Sequence, residues 1–226
     1  GLAPSRIGTE AEIEALKHGV AQFYPMLEGY PVLSEEASRF VKNFMDVDIR
    51  PEGIIPTVGA MQASYVAFMA LTECHKGKDT ILFIDPGFPV QKTQLEVIGK
   101  PYQTFDIYEY REEKLEAKLR EYLDRGNIAG IVYSNPNNPS WVCLTDFELQ
   151  VIGKLATEYD TIILEDLAYF AMDFRKDLSH PGKAPFQPTV AKYTDNYIFM
   201  ISSSKLFSYA GQRVDVNPVN MFLSIV

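Results

Sequence analysis

Ile198-Phe199-Met200-Ile201-Ser202-Ser203-Ser204-Lys205-Leu206-Phe207 begins as a buried, strand-like run and breaks into small hydroxyl residues that lead to an amine. Arg213 follows that lysine by eight positions. The same construction recurs along the chain. Apolar, β-rich runs at 54–58, 80–84, 102–106, 130–134, 161–165 and 197–201 alternate with helical patterns at 61–73, 90–98, 112–123 and 146–158. The last helix opens with Thr145-Asp146-Phe147-Glu148, a capping box in which the Thr and Glu side chains each satisfy a free backbone donor. Strands separated by helices of about ten residues or more require crossovers. The pattern therefore predicts an α/β fold with a mainly parallel sheet and helices on both faces.

Upstream of this region, 10–24 is charged and weakly amphipathic, and 34–45 repeats apolar residues at Ala37, Phe40, Val41 and Phe44 as one helix face would. Ser34 is the expected cap of that second helix, and Leu27-Glu28-Gly29-Tyr30-Pro31 reads as the turn between the two. Residues 1–45 are thus expected to form a helical arm, with the main domain over 46–226. The Pro-rich stretch 180–190 reads as a surface loop.

Of 226 residues, 46% are hydrophobic and 23% charged, as in an ordinary soluble globular protein. A formal charge of -9 leaves no basic stripe for phosphates, which argues against a nucleic-acid partner. No apolar run is long enough to cross a bilayer, and Gly1-Leu2-Ala3-Pro4-Ser5-Arg6 lacks a signal-peptide pattern. Cys74 and Cys143 are far apart, and are expected to be reduced, mostly buried thiols of a cytoplasmic protein. His18, His75 and His180 form no metal-ligand pattern, so no metal is expected.

In a parallel sheet ligands collect at the carboxyl ends of the strands, where the chemically informative residues repeatedly fall. Gly59-Ala60-Met61 follows the first run and leads into a helix, whose free N–H groups and dipole suit a phosphate; a plain strand-to-helix turn has the same composition. Phe88, on the stiff turn Asp85-Pro86-Gly87-Phe88-Pro89, can stack on a flat heteroaromatic ring or pack in the core. The loop Ser134-Asn135-Pro136-Asn137-Asn138-Pro139-Ser140 is stiffened by two X-Pro units, which lets an Asn amide be aimed at a ligand oxygen. Asp166 ends an apolar strand, with Tyr169 three residues on. A carboxylate there needs a cationic partner such as a protonated pyridine nitrogen, or else serves as a helix cap. Glu165 alternates to the other side and reads as structural. Lys205 suits Schiff-base formation with an aldehyde cofactor. Ser202 and Arg213 suit that cofactor's phosphate, or are a turn serine and a surface arginine. Gly211 would let the backbone turn tightly before Arg213.

Together these segments resemble the fold-type I pyridoxal-phosphate enzymes, specifically the class I/II aminotransferase family. The match is in order and spacing: Asn138-Pro139-Ser140-Trp141 for Asn-Pro-(Ser/Thr)-Gly, Asp166-Leu167-Ala168-Tyr169 for Asp-x-x-Tyr, and Ser202-Ser203-Ser204-Lys205 with Arg213 for Ser-x-x-Lys and its following Arg. The resemblance implies the aspartate aminotransferase-like large domain of a transferase that uses pyridoxal 5'-phosphate. It would move an amino group between an amino acid and a 2-oxo acid through a Lys205 Schiff base. It further implies that Asp166 holds the pyridinium, Asn138 and Tyr169 contact the ring's phenolic oxygen, and Phe88 stacks. Gly59, Ala60, Met61, Ser202 and Arg213 would form the phosphate site, and Tyr30 would reach the phosphate of the other subunit in a homodimer.

Two departures stand out. Trp141 replaces the usual Gly, and family members continue past the position of Val226 into a small domain whose Arg grips the substrate carboxylate, so the sequence is expected to be truncated or incompletely represented. Residues 215–226 also depart from the family pattern. The same scaffold supports two alternatives: a pyridoxal-phosphate lyase or decarboxylase, and an inactive cofactor-binding remnant.

Overall fold

The structure is a computed structural model that describes residues 2–219. The chain starts with α1 (Arg6–Lys17), where the Ser5 hydroxyl accepts from the Gly8 N–H at 3.4 Å. This helix ends earlier than the expected 10–24 because Gly19 adopts a left-handed φ of 76°. A separate 3-10 turn, Val20–Gln22, follows it. Helix α2 (Pro31–Met45) begins before the predicted Ser34. Proline occupies its first turn, where a missing N–H costs nothing, and Tyr30 takes the N-cap position. Ser34 therefore lies inside the helix and is buried, not a cap. α1 contributes no buried residue, whereas α2 places Val41 and Met45 in the main core.

From there the order is β1 (Ile54–Val58), α3 (Gly59–Cys74), β2 (Thr80–Asp85), α4 (Val90–Ile98), β3 (Tyr102–Asp106), α5 (Glu113–Leu123), β4 (Ile128–Ser134), α6 (Asp146–Glu158), β5 (Ile162–Leu167), β6 (Tyr197–Ser202), α7 (Ser203–Leu206) and β7 (Val214–Pro218). One sheet holds all seven strands in the order β1-β7-β6-β5-β4-β2-β3. The five from β3 to β6 pair in parallel. β7, which the sequence patterns do not predict, pairs antiparallel with both β6 and β1. Two reversals cancel, so β1 runs in the same direction as β6. Its carboxyl end therefore reaches the same rim as the others.

Every residue of β4, β5 and β6 is buried, because helices cover both faces. Val41, Leu119, Leu149 and Ile152 pack with Ile131, Ile163 and Phe199 on one face. Ala63, Phe68, Leu71 and Leu95 pack with Val132, Leu164 and Met200 on the other. Two expectations need correction. Cys74, the last residue of α3, is exposed and Cys143 is half-buried; both are free thiols. The 180–190 loop is at the surface only through Pro185. It then turns inward, where the Thr189 hydroxyl and the Val190 N–H donate to buried Glu165 at 2.6 and 3.3 Å. Glu165 is thus structural, as its alternation suggested. Among the described residues no helix is long and apolar enough to cross a membrane, and no cluster of metal-ligating side chains forms.

The predicted capping box is present: the Thr145 hydroxyl accepts from the Glu148 N–H at 3.2 Å, and Glu148 accepts from the Thr145 N–H at 2.9 Å. Glu148 is fully buried and also accepts from the Glu112 N–H at 3.1 Å and, one oxygen each, from Nε and Nη2 of Arg111. It therefore fastens the start of α6 to the start of α5. Replacing Glu148 by Ala leaves a half-buried guanidinium and two amides without their acceptor, an expected loss of about 3–5 kcal/mol in urea denaturation. A loss below about 1 kcal/mol would show that α6 is held by packing alone.

Candidate active site

A cavity of about 220 Å³ opens at the carboxyl rim of the sheet. Part of its wall is built by the start of α3 and the segment before β7. Gly59 has φ 78° and donates its N–H to the Arg213 carbonyl at 3.1 Å. A Cβ at that position would lie 1.7 Å from Arg213 Nη2, so the guanidinium lies where any side chain at 59 would have to go. Ala60 and Met61, in the first turn of the 16-residue α3, line the cavity beside Arg213 and Ser202. The Ser202 hydroxyl also accepts from the Ser204 N–H at 3.1 Å and so fixes the turn that carries Lys205. Gly211 was expected to supply the tight turn, but the left-handed conformation falls on Arg213 itself, at φ 56°. Arg213 Nη1 donates to the Ala210 carbonyl at 2.8 Å, which stabilises that turn.

On β5, two strands from β7 in the sheet, Asp166 is 7% exposed. Oδ1 accepts from the Ala168 N–H at 3.0 Å and Oδ2 from Gln91 Nε2 at 3.1 Å. Burial pushes its carboxyl up to about 6, against the pull of those two donors; the charge of Asp215 adds to the rise. No cation contacts it among the described residues. A carboxyl buried in this way takes up a proton more readily than usual unless a positively charged ligand group stabilises its anion. The residue that orients it, Gln91, was missed. It is a helical polar residue with nothing in its spacing to mark it, and only its place in the first turn after Phe88 brings it to the rim.

Among the three asparagines of the 134–140 loop the structure separates scaffold from site. Asn135 accepts from the Leu144 N–H at 3.1 Å, and Asn137 donates to the Pro86 carbonyl at 2.6 Å while accepting from the Ser140 hydroxyl at 2.6 Å. Asn138 alone turns its residue to the cavity, its N–H held by the Ser134 hydroxyl at 3.2 Å. Phe88, Tyr169 and Lys205 complete the lining. Trp141 meets the Tyr169 ring edge-on at 5.5 Å and stacks on Phe174 at 6.2 Å, so its bulk stands beside the cavity wall. Of the predicted residues only Tyr30 lies apart. It is 47% exposed at the start of α2, next to Gly29, which abuts Pro56 of the edge strand β1.

These residues fit pyridoxal 5'-phosphate on two counts visible here. The glycine-backed cradle under Arg213 suits an anion, and the unpaired buried carboxylate suits a protonated ring nitrogen.

Residues 4–215 match the family described as aminotransferase class I and II. An aspartate aminotransferase of Pyrococcus horikoshii is 30% identical over 208 residues, covering 91% of this chain and 50% of that protein. The glutamate-pyruvate aminotransferase AlaC of Escherichia coli is 27% identical over 195 residues, 84% of this chain and 45% of its own length. An aminotransferase crystal structure from Mycobacterium tuberculosis superposes with a TM-score of 0.82 at 19% identity, covering 99% of this chain and 55% of that one. An aspartate aminotransferase from Thermotoga maritima gives 0.80 at 20% identity, covering 96% and 56%. At those identities the structures speak for the fold alone. The chain spans about half the length of the curated relatives it matches. Because the family match covers nearly all of the described chain, the chain belongs to the class I and II aminotransferases, whose members use pyridoxal 5'-phosphate.

Proposed function

We propose that this chain carries the cofactor-binding half of an aminotransferase that moves an amino group between an amino acid and a 2-oxo acid. The observation behind this reading is that Lys205, Asp166 and Arg213, from three separate segments, share one cavity. Bound pyridoxal 5'-phosphate supplies an aldehyde that condenses with amines and a ring that accepts the electron pair released when the substrate Cα loses its proton. Lys205 is the amine that would hold the cofactor's aldehyde, and its freed amine would be the group placed to move the proton lost from the substrate Cα. Asp166, oriented by Gln91 and the Ala168 N–H, keeps the ring nitrogen protonated. Asn138 and Tyr169 hold the phenolic oxygen, and Phe88 covers the ring face. The amides of Ala60 and Met61, with Ser202 and Arg213, receive the phosphate.

In this reading residues 46–226 form the cofactor-binding domain, of which 220–226 lie outside the described residues, and 1–45 form a helical arm. Tyr30, at the outer edge of the sheet beside β1, serves the phosphate of a second subunit in a cytoplasmic homodimer.

Borohydride reduction in the presence of pyridoxal 5'-phosphate is expected to fix one cofactor on Lys205, read by intact mass and peptide mapping. Lys205→Ala should retain no label in the corresponding peptide. A label spread over other lysines in the native chain would overturn the assignment.

Asp166 gives a pH-dependent prediction. Folded, its carboxyl holds the proton up to about 6; the ordinary value is 3.8. Its contribution to the stability of the cofactor-free chain is therefore greatest in acid and declines as pH rises through that window. Asp166→Asn should raise stability by on the order of 2–3 kcal/mol near about pH 8 and by little near about pH 4 in urea denaturation. The same variant should bind the cofactor more weakly. Equal effects at both pH values would show that the Asp166 carboxylate is not paying a burial penalty.

A further inference from the structure

We propose that Asp215 acts as an internal anion in the phosphate cup and makes this chain a poor discriminator between phosphorylated and unphosphorylated ligands. The inference deepens the cofactor reading above and rests on it.

Asp215 is the second residue of β7. It lies directly opposite Ser202 on β6 and opposite Thr57 on β1. Facing residues of antiparallel strands project to the same side of the sheet. The Asp215 carboxylate therefore shares a face with the Ser202 hydroxyl, between the strand end that enters α3 and the one that enters α7. Its neighbour Val216 packs into the core on the α2 side, so Asp215 alternates to the side covered by α3. It is 3% exposed. Both carboxylate oxygens are buried without a well-formed hydrogen bond, as are the Thr57 and Ser203 hydroxyls.

The groups that act on this carboxylate identify its surroundings. Burial pushes its carboxyl up, while the Ser202 hydroxyl, the Arg213 guanidinium and the N–H groups of Ser203 and Ala60 pull it down. Ser202, Arg213 and Ala60 are the donors assigned above to the phosphate. Arg213 brings one positive charge to the cavity wall, and Asp215, which does not itself line the cavity, places one negative charge in the buried layer beside Ser202. An arriving phosphate dianion then meets an Arg213 charge offset by a buried carboxylate and depends more on the helix amides and hydroxyls. An unphosphorylated ring loses nothing by this arrangement.

The test measures dissociation constants by calorimetry for pyridoxal 5'-phosphate, pyridoxal and inorganic phosphate, on the native chain and on Asp215→Asn and Asp215→Ser. The native chain should prefer the phosphorylated aldehyde by less than about tenfold. Asp215→Asn should bind it, and inorganic phosphate, about tenfold more tightly or better, and leave pyridoxal within about twofold. A native preference of about a thousandfold, or an unchanged ratio in the variant, would overturn the proposal. Should Asp215→Asn fail to fold, the native ratio and Asp215→Ser decide. If neither aldehyde attaches to Lys205, the function proposed above fails, whereas inorganic phosphate binding to native and variant chains still decides the role of Asp215.

Discussion

The pairing of β7 with both β6 and β1 is the constraint on which the site depends. It brings the start of α3 beside the turn that carries Lys205, although the two are separated by about 145 positions of chain. Because β7 is antiparallel to both neighbours, β1 and β6 point the same way and their ends meet at one rim. Arg213 sits at the entry to this strand, where its carbonyl receives the Gly59 N–H at 3.1 Å. The backbone bond and the guanidinium stacked over the glycine are thus two consequences of one strand register.

Charged residues enter the cavity in the order of the strands that carry them: Asp166 on β5, Lys205 after β6 and Arg213 before β7. Each of the two acids at this rim, Asp166 and Asp215, has its carboxyl raised mainly by burial, and the charge of Asp215 adds to the rise at Asp166. A pair of buried, partly compensated acids stores unfavourable desolvation in the folded state. That cost is tolerable where a cationic ligand group relieves it, as a protonated ring nitrogen would at Asp166. Asp215 lies buried beside Ser202, where by the proposal above a bound phosphate would add to the repulsion instead of relieving it.

Much of this was legible in the sequence, for a physical reason. Strands buried on both faces leave unbroken apolar runs, and β4, β5 and β6 are of that kind. The helix from Thr145 was legible because a capping box is a local device whose partners lie three residues apart. β7 was not, since Val214-Asp215-Val216-Asn217-Pro218 contains three residues that disfavour strands and its pairing is decided by tertiary context. Gln91 and Asp215 carry no local signal for the same reason: their surroundings are set by neighbours 75 and 13 positions away, Asp166 and Ser202. The end of the first helix and the start of the second were misplaced because a left-handed Gly19 and an N-terminal Pro31 decide those ends more strongly than apolar periodicity does.

Trp141 shows that the backbone, more than the side chain, is what the loop after Asn-Pro-Ser requires. The residue has φ 60°, a conformation natural to the glycine usual at that place in the family pattern and costly for a bulky side chain, by roughly 1–3 kcal/mol. Tryptophan keeps the glycine-like conformation nonetheless. Its N–H donates to the Asn137 carbonyl at 2.9 Å, and Asn137 is itself pinned to Pro86 across the rim. Ring contacts with Tyr169 and Phe174, each worth about 0.5–1.5 kcal/mol, offset the strain. The loop thus holds Asn138 toward the cavity while the side chain at 141 is changed from none to the largest available, and the change is absorbed as an aromatic wall beside Tyr169.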